Sequence, residues 1–417
     1  MTPSAPDAIV VIVGCGRVGA PLAVAFASRG VRVLGVDRDD ARLAQLSRGE
    51  IDGDDRPLRG ALREALAKKS IAFGSLRPSV LPRNFIVAVP TPVDETSSFV
   101  REQLDSAIGE VCSAAAAGSL VAIRSTVPVG TLRAAAASAS KNLRWAACPD
   151  RSSAGRAFEE QFGIPHVIGG IDEASAQAAE RLFANLGRTR RVSSPEAAEA
   201  LKLFSNVQRD MTFAISNQFA LLCEVLGLDL SEIRSAGADG FARFDIPRPG
   251  PVGGPCLTKD VHLLEQSVRA AGVDCDLLLK GRSLNEALVE RTAELVRETL
   301  RRTGGNVAVV LGMGFKGAPA VAEQSESFGA GLVARLRAMG LAVRSWDPVT
   351  DPPERRRPVI EGAAAIVLAN DHPALKDVTE IAQLAPGATV FDMCGVADAS
   401  TCGGLILRVF GDCGARR

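Results

Sequence analysis

Residues 9–37 read IVVIVGCGRVGAPLAVAFASRGVRVLGVD. The β-branched apolar run over 9–13 predicts a strand. The GCGRVG that follows is a glycine turn, the Ala-rich amphipathic stretch to about Ser28 predicts a helix, and VRVLGVD (31–37) predicts a second strand. In that setting Gly14 permits a tight turn, Gly16 lets backbone approach a pyrophosphate, and Gly19 lets the helix pack closely on the strand. The helix N-terminus then presents orphan N–H groups and the positive end of its dipole to the phosphates. Asp37 ends the second strand, 23 residues beyond Gly14. A carboxylate there accepts the adenosine ribose hydroxyls and repels a 2′-phosphate, so NAD is expected over NADP. Arg38 beside it weakens that preference slightly. Without the flanking strands and helix the same glycines would be an ordinary α/β turn.

Outward from this unit, strands are expected at FIVAVP (85–90), LVAIRS (120–125) and RWAACP (144–149), with helical segments between them. Alternation of this kind implies a parallel, doubly wound sheet. Residues 196–225 contain no Gly or Pro and carry apolar residues at helical spacing, which predicts one long helix. Helices dominate to about 302, interrupted by the Gly/Pro-rich loop IPRPGPVGGP (246–255). NVAVVLGMGF (306–315) then runs a strand into a second Gly-rich turn. A helix (328–339) and strands at 341–347, 364–370 and 388–393 follow. The expected architecture is α/β: two Rossmann-like doubly wound domains joined by a central helical domain. The domains are 1–195 for the dinucleotide, 196–302 for the helical centre and 303–417 for the second α/β domain.

Lys plus Arg and Asp plus Glu number 48 each in 417 residues, so the net charge is zero and the basic excess of a nucleic-acid or membrane-surface binder is missing. Hydrophobic residues make up 47%, enough for a core in each domain. Aromatics are only 4% with no Tyr, so those cores rest on Ala, Val, Leu and Ile. The start, MTPSAPDAIV, has no basic segment leading into a long apolar run, and no apolar stretch approaches the ~18 residues of a membrane span. A cytoplasmic protein is expected. The nine Cys form no CxxC pair, which reads as free thiols and no metal site.

Three clusters carry chemistry. Gly253-Gly254-Pro255-Cys256-Leu257-Thr258-Lys259-Asp260 places a thiol after a glycine pair, where a substrate can come close. If a short helix begins there, its N-terminus favours the thiolate, and Asp260 lies on the same face one turn on. A lone cysteine is otherwise a small core residue. Lys202 and Asn206, four apart on the long helix, could hold one oxygen between a cation and an amide; alone they would be a solvated pair. Arg124-Ser125-Thr126-Val127-Pro128-Val129-Gly130 could bring a hydroxyl to a nicotinamide or a water, or simply end a strand.

Taken together, GCGRVGAPLA, VAVPTP, RSTVPVGT, CPDRSSAGRA, EALKLFSNVQRD, PGPVGGPCLTKD, LGMGFKG and SWDP, in that order between residues 11 and 348, resemble the UDP-glucose/GDP-mannose dehydrogenase family, the nucleotide-sugar 6-dehydrogenases. The resemblance implies an NAD domain, a helical centre that forms a homodimer, and a C-terminal domain for the nucleotide diphosphate. It implies two successive hydride transfers to NAD. Cys256 would attack the aldehyde formed first, and the resulting thioester would be hydrolysed to the carboxylate. Lys202 and Asn206 would stabilise oxyanions, Thr126 would assist beside the cofactor, and Asp260 would serve acid–base transfer. The resemblance also places Gly14, Gly16, Arg17, Val18, Gly19, Asp37, Arg38, Pro90 and Thr91 at the cofactor. It places Asp150, Arg151, Lys202, Asn206, Arg243, Gly253, Phe315 and Lys316 at a UDP-sugar.

Within the family, Pro149-Asp150-Arg151-Ser152-Ser153-Ala154-Gly155 looks more like the P-E-R-x-x-x-G run of the UDP-N-acetylhexosamine branch than the P-E-F-L-R-E-G run of the UDP-glucose branch. Arg209-Asp210 leans the same way. UDP-N-acetylmannosamine or a related sugar, on a route to polysaccharide, is the expected substrate, with UDP-glucose as the alternative. Three departures stand out: Asp150 for the usual Glu, Thr258 for a common Pro, and Ser325 where the family's D-x-R-x-S run has its arginine. A non-catalytic nucleotide-sugar binder and a simple β-hydroxyacid dehydrogenase are the competing readings. The first would not need Cys256, Lys202, Asn206 and Asp260 intact, and the second needs no cysteine.

Overall fold

The strand expected at 9–13 is present as β1 (Val10–Val13), every residue of it buried. The computed structural model describes residues 10–51, 55–78, 80–81 and 83–414. Residues 1–9, which hold Ile9 and all but the last residue of the N-terminal stretch read for a signal, lie outside the described residues. Contacts divide the chain into two units: one takes the residues up to Ser205 and His262–Asp274, the other Asn206–Val261 and everything from Cys275.

In the first unit β1 leads into α1 (Gly19–Ser28), then β2 (Val33–Val36), α2 (Asp40–Ser47), α3 (Arg56–Ala67), β3 (Ile71–Phe73) and β4 (Asn84–Val87). There follow α4 (Glu102–Ala114), β5 (Leu120–Ile123), α5 (Thr131–Ser138), β6 (Arg144–Ala147), α6 (Ala157–Gly163), β7 (His166–Gly170), α7 (Glu173–Phe183) and β8 (Thr189–Arg191). The strands form one sheet in the order β3-β2-β1-β4-β5-β6-β7-β8. Its pairings are parallel except β6 with β7, which is antiparallel. The strand order reverses direction between β1 and β4, and such a switch point opens a crevice at the carboxyl ends of those strands. Helix α1 is not amphipathic: Gly19–Ala27 are all buried, because α3 and α6 pack over the side that would otherwise face water. Its Ala-rich composition suits a helix covered on every side.

The long helix is α8 (Pro195–Leu226). Its first turns belong to the first unit, where Ala198, Glu199, Lys202 and Leu203 are buried. After α8 come α9 (Leu230–Ala238), α10 (Leu257–Arg269) and α11 (Asp276–Thr303). The remainder is β9 (Val307–Leu311), α12 (Phe328–Ala338), β10 (Ala342–Trp346), α13 (Arg356–Ile360), β11 (Ala365–Leu368), α14 (Thr379–Leu384), β12 (Thr389–Asp392) and β13 (Ile406–Val409). These five strands form a wholly parallel sheet, order β10-β9-β11-β12-β13, with an apolar cluster on each face. Both sheets are doubly wound, as expected.

The second sheet repeats a device of the first. Gly312, after β9, has φ +87°, as Gly14 after β1 has φ +92°. Asp347, after β10, accepts the N–H groups of Met313 (2.7 Å) and Gly314 (2.9 Å). Asp37, after β2, accepts that of Cys15 (2.7 Å).

Candidate active site

The dinucleotide turn is built from contacts that tolerate only glycine at two positions. A Cβ on Gly14 would lie 2.6 Å from the Ala88 carbonyl oxygen, and one on Gly19 would lie 1.7 Å from that of Gly14. Gly16 is the opposite case: nothing lies within 4 Å of where its Cβ would be, so its backbone is open to a ligand. Val18, the N-cap of α1, supplies no side-chain acceptor, and the first turn of α1 carries no acidic residue. Ala20 N is taken by the Gly16 carbonyl (3.0 Å) and Pro21 has no N–H, but no side chain caps that end, so its dipole remains for an anion. Asp37 is half-buried, with Oδ2 on Cys15 N and Oδ1 on Asp39 N (3.0 Å). Each oxygen has a second lone pair left for ribose hydroxyls. Arg42 Nε donates to the Cys15 carbonyl at 3.2 Å and braces the turn from outside. Arg17, Arg38 and Pro90 are exposed, and Thr91 is buried. These residues fit a dinucleotide.

Further along the same sheet edge, Thr126, Ser125, Pro149, Glu199 and Lys202 line one small cleft. Thr126 and Lys202 are thus brought together. Asp150 is not an open ligand: it is 7% exposed and paired with Arg124 at 2.7 Å, with Ser152 donating to its other oxygen at 2.8 Å. Burial pushes its carboxyl up, but Arg124, Lys202 and the Ser152 and Gln161 hydrogen bonds together hold it below the usual range. Arg151 next to it is exposed.

In the second unit Cys256 immediately precedes α10, and Asp260 N donates to its carbonyl at 3.1 Å, a helical hydrogen bond of the first turn. The helix is longer than the short one expected, 13 residues. Asp260 is 1% exposed. Its Oδ2 accepts from Asn206 Nδ2 at 2.5 Å and its Oδ1 from Lys259 Nζ at 2.6 Å. Asn206 is therefore engaged by a carboxylate as well as being a candidate oxyanion donor. Gly253 packs its α-carbon where a Cβ would meet the Glu326 carbonyl at 2.6 Å, and Gly254 (φ +88°) lies against the Phe315 ring. Lys316 is half-buried and Arg243 exposed, its guanidinium 4.9 Å from the Phe241 ring centroid. The Thr258 hydroxyl sits 2.9 Å from the Gly254 carbonyl and also meets the Glu326 carboxylate, a contact that a proline could not make.

Comparison with known proteins decides the family. The model of the UDP-glucose/GDP-mannose dehydrogenase family, NAD binding domain, matches residues 8–187, and that of the family's central domain matches residues 196–287. The chain is 31% identical over 386 residues to UDP-N-acetyl-D-mannosamine dehydrogenase of Pyrococcus horikoshii, covering 88% of this chain and 90% of that one. The chain belongs to the UDP-glucose/GDP-mannose dehydrogenase family. It is 29% identical to NDP-N-acetyl-D-galactosaminuronic acid dehydrogenase of Ralstonia solanacearum, over 73% of this chain and 75% of that one. The solved structure of UDP-D-ManNAc dehydrogenase from P. horikoshii superposes with TM-score 0.87 at 29% identity, covering 97% of this chain and 99% of that one.

As a member of this family the protein is an NAD-dependent nucleotide-sugar dehydrogenase. Among the described residues no helix is long and apolar enough to cross a membrane. Its thiols differ in exposure. Cys15 and Cys148 are buried, and burial pushes both up to about 12; neither is a nucleophile at neutral pH. Cys256 is exposed at the start of a helix. Two residues of this dehydrogenase escaped the sequence reading. Lys259, quoted above only as part of the motif, is a partner of the Asp260 carboxylate. Glu199 accepts the N–H groups of Gly130 (2.7 Å) and Leu132 (2.9 Å) and is pushed up to about 7 by burial. The signal for Glu199 was available: it shares the buried 198–199–202–203 face of α8 with apolar residues.

Proposed function

We propose that this dehydrogenase oxidises the C6 hydroxyl of a UDP-N-acetylhexosamine, UDP-N-acetylmannosamine first, to the carboxylate through a covalent intermediate on Cys256. The observation that carries the reading is Cys256 itself: an exposed thiol at the N-terminus of α10, one turn from a buried carboxylate held by Asn206 and Lys259. The curated relatives named for N-acetyl sugars favour the substrate branch.

Bound NAD supplies the hydride acceptor. Gly14, Gly16 and Gly19 seat its pyrophosphate on α1, and Asp37 takes the ribose. Thr126 and Lys202 orient the reacting oxygen, and Lys202 with Asn206 offsets its negative charge. The C6 alcohol would give up one hydride to the cofactor and one proton to become the aldehyde. Cys256 adds as thiolate to the aldehyde carbon. The thiohemiacetal would give up a second hydride, to a second NAD, and its hydroxyl proton to become a thioester, and water releases the acid and the thiol. Asp260 accepts and returns the proton. Arg151, Arg243, Phe315 and Lys316 belong to the nucleotide-sugar side. In this reading residues 1–195, 196–302 and 303–417 act as cofactor, central and nucleotide-sugar segments. A homodimer forms through α8, supported by the exposed apolar stripe Ile215, Phe219, Leu222 and Leu226 at helical spacing. A cytoplasmic enzyme of polysaccharide synthesis fits this substrate class.

The test is NADH formation over a panel of UDP-, GDP- and dTDP-sugars. UDP-N-acetylmannosamine should give the highest kcat/KM. A clear preference for UDP-glucose would move the enzyme to the other branch, and no NADH with any nucleotide sugar would favour the non-catalytic binder.

A further inference from the structure

The loop that delivers Cys256 cannot hold itself. Residues 246–255 read IPRPGPVGGP; four of the ten are prolines, which have no N–H to donate, and no helix or strand forms between α9 and α10. Its order has to come from elsewhere. It comes from a set of fully buried polar side chains on α8 and α11. Asn217, with no exposed surface, accepts the Gly250 N–H at 2.8 Å and donates to the Gly250 carbonyl at 3.0 Å, so one amide clamps both polar groups of one loop residue. Ser216 donates to the Pro247 carbonyl at 2.6 Å.

Behind Asn217 the network continues. Its amide also donates to Asn285 Oδ1 at 2.8 Å, Asn285 donates to the Asp210 carboxylate at 2.8 Å, and Arg282 pairs with that carboxylate at 2.8 Å. Asp210, Arg282 and Asn285 are each no more than 2% exposed. From the far side, exposed Arg248 donates to the Gly395 carbonyl at 2.6 Å and Gly254 N donates to the Glu326 carbonyl at 2.9 Å. A buried ionic network is a poor way to add stability, since apolar residues of similar volume do as well or better. Its merit is specificity of geometry, and here its outward bonds converge on the loop.

We propose that Asn217, backed by Asn285, Asp210 and Arg282, is a positioning residue that fixes the main chain of residues 247–252 and thereby seats Cys256 at the N-terminus of α10. The proposal rests on the reading that Cys256 is the reacting thiol, but thiol reactivity can be measured without turnover.

The experiment compares the full-length enzyme with Asn217→Ala, Ser216→Ala and Arg248→Ala. For each, the rate of iodoacetamide labelling of Cys256 is followed by peptide mass, alongside kcat, KM and NAD affinity. Release of the loop removes the thiol from the helix terminus. Labelling of Asn217→Ala should slow about fivefold and kcat should fall about tenfold or more. NAD affinity should be unchanged, since the glycine turn lies in the other unit. Ser216→Ala and Arg248→Ala should show the same pattern in weaker form. A folded Asn217→Ala that labels at the wild-type rate overturns the proposal, whatever its kcat. If Asn217→Ala does not fold, wild-type labelling in both other variants overturns it equally. Acid formation by Cys256→Ser would instead refute the thioester reading and leave the labelling result to decide the positioning.

Discussion

Glu199→Gln should change how the first unit responds to pH. Glu199 is 4% exposed and its carboxyl is raised from an ordinary 4.5 to about 7 by burial, against the two backbone N–H bonds that favour the charged form. A group whose folded value is raised stabilises fully below the unfolded value and loses that contribution as pH rises through the folded one. Between about pH 5 and about pH 8 the loss is roughly 2.5 kcal/mol. In the wild-type enzyme it is largely masked. His166, buried beside Arg124, is lowered to about 4, so its contribution is present above the unfolded value of 6.5 and fades as pH falls. Over the same interval it offsets Glu199 by roughly 2 kcal/mol. Only the difference between variant and wild type isolates Glu199. The amide side chain is neutral throughout and gives up one of the two N–H acceptors, at a cost of about 1–3 kcal/mol. The stability difference between Glu199→Gln and wild type should therefore move by roughly 2.5 kcal/mol in the variant's favour from about pH 5 to about pH 8. Urea unfolding read by Trp145, buried on β6, in a Trp346→Phe background measures it. Equal differences at the two pH values, within about 0.5 kcal/mol, would refute the assignment.

Cys256→Ser should abolish steady-state acid formation while NAD binding, followed by calorimetry, is retained; near-normal acid production would leave a simple alcohol dehydrogenase. Asp37→Ser should narrow the preference for NAD over NADP, because it removes both the ribose acceptor and the repelling charge; an unchanged ratio of the two kcat/KM values would show that Asp37 does not discriminate. Gly19→Ala places a Cβ 1.7 Å from the Gly14 carbonyl oxygen, so α1 must move and NAD affinity should fall about tenfold or more. Calorimetry giving the wild-type Kd would contradict the close packing.

What the sequence made legible is what local chemistry decides. The strand, glycine turn and helix of residues 10–28 follow from neighbours along the chain, as does Cys256 at a helix start. The strands β3, β7, β8 and β13 are not among those expected: β3 (IAF) and β8 (TRR) have only three residues, and β7 (HVIGG) and β13 (ILRV) break the apolar run with Gly or Arg. The burial of α1 depends on α3 and α6 arriving from elsewhere. The ion pair that holds Asp150 to Arg124 spans 26 residues. The Asn206–Asp260 bond spans 54. Pairings of that separation leave no mark in periodicity or spacing.

The two glycine turns, so alike in construction, differ in what is left over. Asp347 is 1% exposed, and its two oxygens take four backbone N–H groups, those of Met313, Gly314, Val349 and Thr350. That carboxylate is saturated, and a ribose finds no acceptor there. Asp37 takes two and keeps room. Of these two turns, a single berth per chain remains for the nicotinamide carrier. On the proposed two-hydride route the oxidation would then be a relay with one lane: the spent carrier departs and a fresh one enters while the half-oxidised sugar waits. In the proposed route through Cys256, the tether to sulfur would hold the sugar through that changeover, and its lifetime would have to exceed the exchange time of the carrier.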